Sequence, residues 1–212
     1  MTLRRWHLWA PLMLSLLLAS GAARSVAFDV TINTGTLAGG VGVATFDLID
    51  GGPPSNTVDL GAISTDGSLV GTSFTGGVSG SGPWVITDTA FFNELQLRYS
   101  PLGSTISFSF STTDNPPDAG SSPDSFSFFL LDSDALLSLL STSDPTGADA
   151  LFLFSFGSGT QGLEVYQNAS TSVQNFSVQV QESPSASVPE PGSLALLAIG
   201  AIAGLLRKRR MR

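Results

Sequence analysis

Short segments in which apolar and polar residues alternate recur along the chain from Phe28 to Gln181. The clearest lies at residues 106–110, where an isoleucine and two phenylalanines alternate with serines. A β-strand directs successive side chains to opposite faces, so this alternation places the three apolar side chains on one face of a sheet. The same period recurs at residues 28–32 and 176–180. The pattern therefore predicts half-buried β-strands.

Longer apolar segments and frequent turn residues extend this prediction to the whole body. Residues 125–131 and 150–156 are almost continuously apolar, as in strands that enter a sandwich core. Clusters of Gly, Pro, Asn, Asp and Ser separate the segments. The fold class predicted is all-β, an antiparallel β-sandwich or jelly roll. The predicted strands are residues 28–32, 41–49, 57–63, 69–74, 84–87, 91–99, 106–110, 125–131, 150–156, 162–166 and 176–180.

Three local expectations accompany the strands. At most one short helix is expected, at residues 132–140, where Asp and Ser precede clustered leucines. The Gly-rich residues 76–82 are interpreted as a flexible loop. Trp84 is expected at the edge of the core, and stacking on a sugar ring is the alternative.

The N-terminus has the three parts of a secretory signal peptide. Arg4 and Arg5 precede an apolar segment at residues 8–18, and small residues come next. This segment is shorter than the roughly twenty residues that span a bilayer, which favours cleavage. Cleavage after Ala23 or after Ala27 satisfies the small-x-small rule. We predict a signal peptide at residues 1–27, cleaved after Ala27, because the strand pattern begins at Phe28.

The C-terminus joins a short extended segment to an apolar segment and a basic end. A linker at residues 182–188 is followed by Pro189, Glu190 and Pro191, and residues 194–206 are apolar or small. We predict a transmembrane helix at 194–206, with its basic end in the cytoplasm and the body outside. The prolines prevent the helix from extending backwards. The basic tail consists of Arg207, Lys208, Arg209, Arg210 and Arg212.

Residues 189–212 together resemble the PEP-CTERM sorting signal of exopolysaccharide-producing Gram-negative bacteria. The resemblance implies that an exosortase, a transpeptidase-like membrane enzyme, recognises Pro189, Glu190 and Pro191 and removes the tail. After the translocon and signal peptidase have acted, the protein is expected to be anchored transiently in the inner membrane. Its destination is then the cell surface or the extracellular matrix. The body, residues 28–181, also resembles the uncharacterised β-sandwich domains found ahead of such tails.

The composition of the body excludes several classes of function. Between Phe28 and Val188 lie sixteen carboxylates and one arginine, Arg98, a net charge of −15. Such a body repels phosphate backbones, so nucleic acid is not an expected partner. The chain lacks Cys, its single His is His7, and the body lacks Lys. Disulfides, thiolate metal sites and Ser-His or Cys-His nucleophiles are therefore excluded.

Two kinds of carboxylate chemistry remain. Calcium prefers hard oxygen ligands, and an acidic exported body would be relieved of repulsion by binding it. Asp132 and Asp134 are candidate calcium ligands, with a solvated acidic loop or helix cap as the alternative; no other cofactor is expected. Glycoside cleavage by two carboxylates needs neither His nor Lys, and Glu94 and Glu164 are among the residues available for it. Sequence spacing does not place such a pair across a cleft.

These observations predict a non-catalytic protein with a structural or adhesive role, and the resemblance of the tail implies that it is exported and associated with exopolysaccharide. The alternative is a carbohydrate-binding, lectin-like module that could depend on calcium. A glycoside hydrolase is a distant third possibility, and enzymatic activity is not expected.

Overall fold

The strands were located in a computed structural model, which describes residues 25–169 and 176–183. Within these residues there are thirteen strands and two short 3-10 turns, Gly35–Leu37 and Gly159–Gly162. The strands are β1 Ser25–Asn33, β2 Gly42–Ile49, β3 Thr57–Leu60, β4 Ser64–Thr65, β5 Leu69–Thr75, β6 Gly77–Gly80, β7 Trp84–Thr87, β8 Phe92–Tyr99, β9 Thr105–Thr113, β10 Ser125–Leu131, β11 Phe152–Ser155, β12 Leu163–Val165 and β13 Ser177–Glu182.

The strands form two sheets in which the pairs are antiparallel. The first sheet has seven strands in the order β13-β1-β9-β3-β7-β6, and β4 pairs with β9. The second has six strands in the order β12-β11-β10-β2-β8-β5. The prediction of an all-β, antiparallel fold is confirmed.

A layer of phenylalanine rings joins the two sheets. On β9 of the first sheet, the Phe110 ring centroid lies 5.2 Å from that of Phe126 on β10 of the second sheet. Phe108 on β9 and Phe46 on β2 make a similar contact at 5.1 Å, with their rings nearly perpendicular. Such tilted and edge-on pairs are favourable beyond the burial of their area. These contacts between inward faces are those that a sandwich arrangement requires.

Residues 132–140, the segment for which at most one short helix was expected, form no helix. The Asp132 carboxylate Oδ1 accepts hydrogen bonds from three backbone amides of the segment. This satisfies the amides locally without helical hydrogen bonds. Ala135 has φ of 57°, and Ser138 forms a bridge back to Leu131, so the segment turns instead of coiling.

The Gly-rich segment after β5 is an edge strand and not the flexible loop that was expected. β6 pairs with β7 in a regular register of four residue pairs. A Cβ atom on Gly77 would clash with the carbonyl oxygen of Thr87, so glycine permits this close approach of the two strands. Trp84 on β7 is 6% exposed and belongs to the core, which leaves its ring unavailable for stacking on a sugar.

No helix within residues 25–169 and 176–183 is long and apolar enough to cross a membrane. The predicted C-terminal helix at 194–206 and most of the predicted signal peptide lie outside the described residues. The chain divides into two units, Met1–Glu182 and Ser183–Arg212.

Candidate functional site

The residues proposed from sequence fall in three places. The sorting residues Pro189, Glu190 and Pro191 and the basic tail lie outside the described residues. Ala27 lies within β1, opposite Ser111 of β9. The strand therefore begins three residues before the predicted mature N-terminus at Phe28. The cleavage site itself stays a prediction.

The two candidate calcium ligands lie in the loop after β10. Asp132 uses one carboxylate oxygen to hold three backbone amides, and these hydrogen bonds lower its pKa below the usual range. An oxygen already accepting several hydrogen bonds has less capacity for a cation. Metal binding by Asp132 and Asp134 stays a prediction.

A different group of carboxylates converges at one end of the core. Asp50 follows β2, Asp88 follows β7 and Asp124 precedes β10, and one oxygen of each lies within 4.8 Å of the others. Each aspartate stands two residues from a buried apolar residue of its strand: Leu48, Ile86 and Phe126 respectively. Because side chains alternate along a strand, the three carboxylates continue the inward-facing rows where the apolar layer ends.

Asn56, which is 2% exposed, connects this group. Its backbone amide donates to Asp88 Oδ2 at 2.6 Å, and its side-chain amide donates to Asp124 Oδ2 at 2.9 Å. Asp124 Oδ1 accepts a further bond from the amide of Gly51 at 2.7 Å. These neutral donors stabilise carboxylates that are almost fully removed from water.

Burial raises the pKa of the Asp124 carboxyl, and the nearby charge of Asp88 acts in the same direction. Hydrogen bonds from Gly51 and Asn56 oppose the shift. Three converging carboxylates are a donor set suited to a hard divalent cation. The same arrangement also serves as a hydrogen-bonded cap over the core, and the donors that hold it among the described residues are neutral.

A further buried aspartate organises the loop next to this group. Asp114, which follows β9, is 1% exposed. Its two oxygens accept hydrogen bonds from the backbone amides of Gly157 and Gly159, at 2.6 and 2.9 Å. The Asp114 carboxylate thus has a structural role in holding this loop.

The outward face of the six-stranded sheet carries a pair of acidic residues. Asp47 on β2 lies directly opposite Glu94 on β8, so the two acidic side chains are neighbours on this face. Burial, followed by the charge of Glu94, raises the pKa of Asp47 to about 7. The Oδ1 atom of Asp47 and the Oγ1 atom of nearby Thr45 are buried without a hydrogen-bond partner among the described residues.

A polar pocket lies further along the same face. It has a volume of about 160 Å³ and spans strands β5, β8 and β2. Ser73 and Gln96 form its polar wall, and the Ser73 hydroxyl donates to Gln96 Oε1 at 3.2 Å. Arg98 also lines it, and one guanidinium nitrogen donates to the carbonyl oxygen of Ser133. The remaining lining residues are Val43, Gly71 and Thr72.

The described part of the chain is an acidic, all-β domain of two antiparallel sheets, and the family match lies on its C-terminal side. Residues 187–210 match the family model described as the PEP-CTERM protein-sorting motif. The chain thus carries this sorting signal: it is an exported protein that is targeted to an exosortase and sorted through its C-terminus at the membrane. No match was found among the curated proteins or among the solved structures. The resemblance of the body to other domains stays a prediction.

The sorting signal was evident in the sequence, but the group of three aspartates and the polar pocket on the body were not. Asp50, Asp88 and Asp124 are far apart in sequence, and only the strand pairing brings their ends together. The pocket depends on side chains at alternate positions of β5 and β8. The sequence contained one indication of the pocket, because Arg98 is the only basic residue of the body.

Proposed function

We propose that this protein is a non-catalytic structural or adhesive component of the cell surface or extracellular matrix, associated with exopolysaccharide. The observation that carries the proposal is the sorting motif at residues 187–210 behind an all-β body. A signal peptide delivers the chain across the inner membrane, and a C-terminal helix at 194–206 holds it there until the exosortase acts. After the tail is removed, the acidic all-β domain is the mature protein.

The positions of the carboxylates support a role without catalysis. Asp47 and Glu94 are cross-strand neighbours on one face of a sheet, whereas a glycosidase places its two carboxyl groups about 5–9.5 Å apart on either side of the scissile bond. Glu164, the other glutamate considered, accepts a hydrogen bond from the Tyr166 hydroxyl at 2.9 Å.

The sorting step is tested by substituting both prolines of the motif. In a host that has the exosortase, the double variant Pro189→Ala, Pro191→Ala should accumulate in the membrane fraction with its C-terminal tail still attached. The wild-type protein should instead be found at the surface or in the matrix without its tail. The measurement is immunoblotting of fractions together with intact mass. Pro184→Ala, a proline of the linker outside the matched residues, is the control and should be processed normally. Normal processing of the double variant would contradict the proposal.

The N-terminal cleavage is proposed to occur after Ala23, the alternative position, because β1 needs the residues that the other cut removes. Ser25, Val26 and Ala27 pair with β9, and Val26 packs against the core.

N-terminal sequencing of the exported protein should therefore begin at Arg24. Ala23→Leu should block this cleavage, because it removes the small residue before the cut, and the matched variant Ala27→Leu should be cleaved normally, because Ala27 lies outside the small-x-small motif of Gly21 and Ala23. A mature chain beginning at Phe28 would contradict the assignment, and an uncleaved exported chain would contradict the signal peptide.

A carbohydrate-binding module is the second candidate, and the polar pocket on the six-stranded sheet favours it. Calcium dependence belongs to this candidate, with the three converging aspartates as the ligands that the geometry offers. Screening of the processed protein against a glycan array, with and without a chelator, tests both parts. An array without hits under both conditions would remove the candidate.

A further inference from the structure

We propose that the pocket formed by Ser73, Gln96 and Arg98 binds the carboxylate of an acidic sugar residue, such as a uronate within a polysaccharide chain. The inference rests on the proposed association with exopolysaccharide and names the chemistry that this association would use. It depends on three observations within residues 25–169 and 176–183: an arginine without a carboxylate partner, an unpaired donor beside it, and the shape of the pocket.

Arg98 is the only cation in a body with sixteen carboxylates, yet none of the described carboxylates forms an ion pair with it. Its guanidinium donates instead to the backbone carbonyl of Ser133. Asp132 and Asp134, which flank Ser133, form no ion pair with Arg98. Glu94, four residues before Arg98 on β8, forms none either. A guanidinium has five N–H donors in a planar fork, so most of them are left for a ligand. The fork matches the geometry of a carboxylate.

Gln96 adds a second unpaired donor on the same face as Arg98, two residues before it on β8. The Gln96 Oε1 atom already accepts the hydrogen bond from Ser73. Its Nε2 group has no partner among the described residues. A pocket with several unpaired donors and a positive charge selects an acceptor-rich, negatively charged group. A neutral sugar would use only part of this set.

The pocket is open where such a ring would approach the sheet. Gly71 pairs with Arg98 across β5 and β8, and a Cβ atom there would meet nothing closer than the Arg98 Cβ at 3.8 Å. Val43 contributes an apolar wall for the C–H groups of a ring. A volume of about 160 Å³ is below the range of about 300–1,000 Å³ typical of drug-sized ligands, which limits the occupant to a small group such as one sugar residue.

Screening weakens the opposition of the body's distant carboxylates to this contact, whereas Asp132 and Asp134, which flank Ser133, stay close to Arg98 and reduce its attraction for an anion. At physiological ionic strength, screening limits the interaction between exposed charges to a distance of about 8 Å. An anionic chain therefore senses the local arginine where it touches the pocket, while the remaining carboxylates discourage contact elsewhere on the surface. This charge distribution favours one defined orientation of the bound chain.

Calorimetric titration of the processed protein tests the inference with three probes: a linear oligouronate, a neutral oligosaccharide of the same length, and inorganic phosphate. The oligouronate should bind at least about 10-fold more tightly than the neutral oligosaccharide, as one charge-assisted contact allows. Arg98→Gln should lower its affinity by about 10-fold or more. Arg98→Lys should lower it less, because the charge remains while the fork is lost. Gln96→Ala should lower it several-fold, about the contribution of one hydrogen bond.

The control variant is Gln179→Ala, an exposed glutamine on β13 of the other sheet, which should leave affinity unchanged. Equal binding of the neutral oligosaccharide, or unchanged affinity in Arg98→Gln, would overturn the proposal. Phosphate binding as tight as that of the oligouronate would show a simple anion site and overturn the assignment to a sugar. If Arg98→Gln lacks the wild-type circular dichroism spectrum, Arg98→Lys and Gln96→Ala decide the outcome. Absence of binding by all three probes would overturn the site, whereas failure of the sorting proposal would be seen only in the fractionation of the tail variants.

Discussion

Replacing Asp47 with asparagine is expected to stabilise the domain at pH 8 by about 2–4 kcal/mol, with little change at pH 3. Asp47 carries a pKa of about 7 in the folded protein against a usual value of 3.8. Burial is the larger cause, and Glu94 opposite Asp47 on β8 adds to it. From β10, on the other side, the facing residue is Ser127, which carries no charge.

The direction in which stability changes with pH follows from the numbers of protons bound by the folded and unfolded states. Between about pH 4 and 7 the folded protein keeps a proton on Asp47 that the unfolded chain has lost, so stability falls as the pH rises through this range. Above pH 7 both states are ionised and the loss is complete. Asparagine is neutral throughout and nearly the same shape, so it removes this loss while keeping the packing.

The measurement is the free energy of unfolding by urea at a series of pH values for the wild type and the variant. The difference between the two curves isolates Asp47, because Asp124 and the other perturbed carboxyls contribute equally to both. Asp59→Asn, the same exchange at an exposed position of β3, serves as the control for the effect of the substitution itself. Glu94→Gln should reduce the fall in part, since it removes the neighbouring charge but leaves the burial. An unchanged pH dependence in Asp47→Asn would contradict the assignment.

The sequence predicted the strands well where side-chain alternation is complete. Residues 106–110 lie within β9 and most of residues 176–180 within β13, because one face of each strand is buried and period two is then obligatory. It failed for β6, where glycines leave no alternation to detect, and for the segment after β10. There the leucines suggested a helix, but Leu136 and Leu137 are 78% and 69% exposed. The helix propensity of leucine was overridden by the hydrogen bonds that backbone amides donate to the Asp132 carboxylate.

The sorting signal was predictable because its features are contiguous, and the sites on the body were not because theirs are distributed. Pro189, Glu190 and Pro191 are adjacent in the sequence, so the motif can be recognised without knowledge of the fold. The pocket combines residues from three strands. Its proposed role depends on the observation that none of the described carboxylates forms an ion pair with Arg98. Such an absence of pairing cannot be read from spacing, since sixteen acids make some pairing seem inevitable.

Truncating Phe110 to alanine is expected to destabilise the domain by about 3–5 kcal/mol, the usual range for a buried phenylalanine. The side chain is 1% exposed. Its ring centroid lies 5.1 Å from that of Phe28 in the same sheet, and 5.2 and 5.4 Å from those of Phe126 and Phe152 in the other. Loss of the ring would open a cavity at the contact between the sheets, which strand pairing prevents from closing.

Phe91→Ala removes the same atoms from a residue that is 74% exposed and should change stability by no more than about 0.5 kcal/mol. Chemical denaturation of both variants at one pH gives the comparison, and their difference removes the effect of residue type. Phe110→Leu, which keeps part of the apolar volume, should fall between the two and allows a value to be obtained if the alanine variant does not fold. Because whole domains are stable by only about 5–15 kcal/mol, a loss of this size is easily measured. Equal stability of Phe110→Ala and Phe91→Ala would show that the two sheets are not held together by this ring layer.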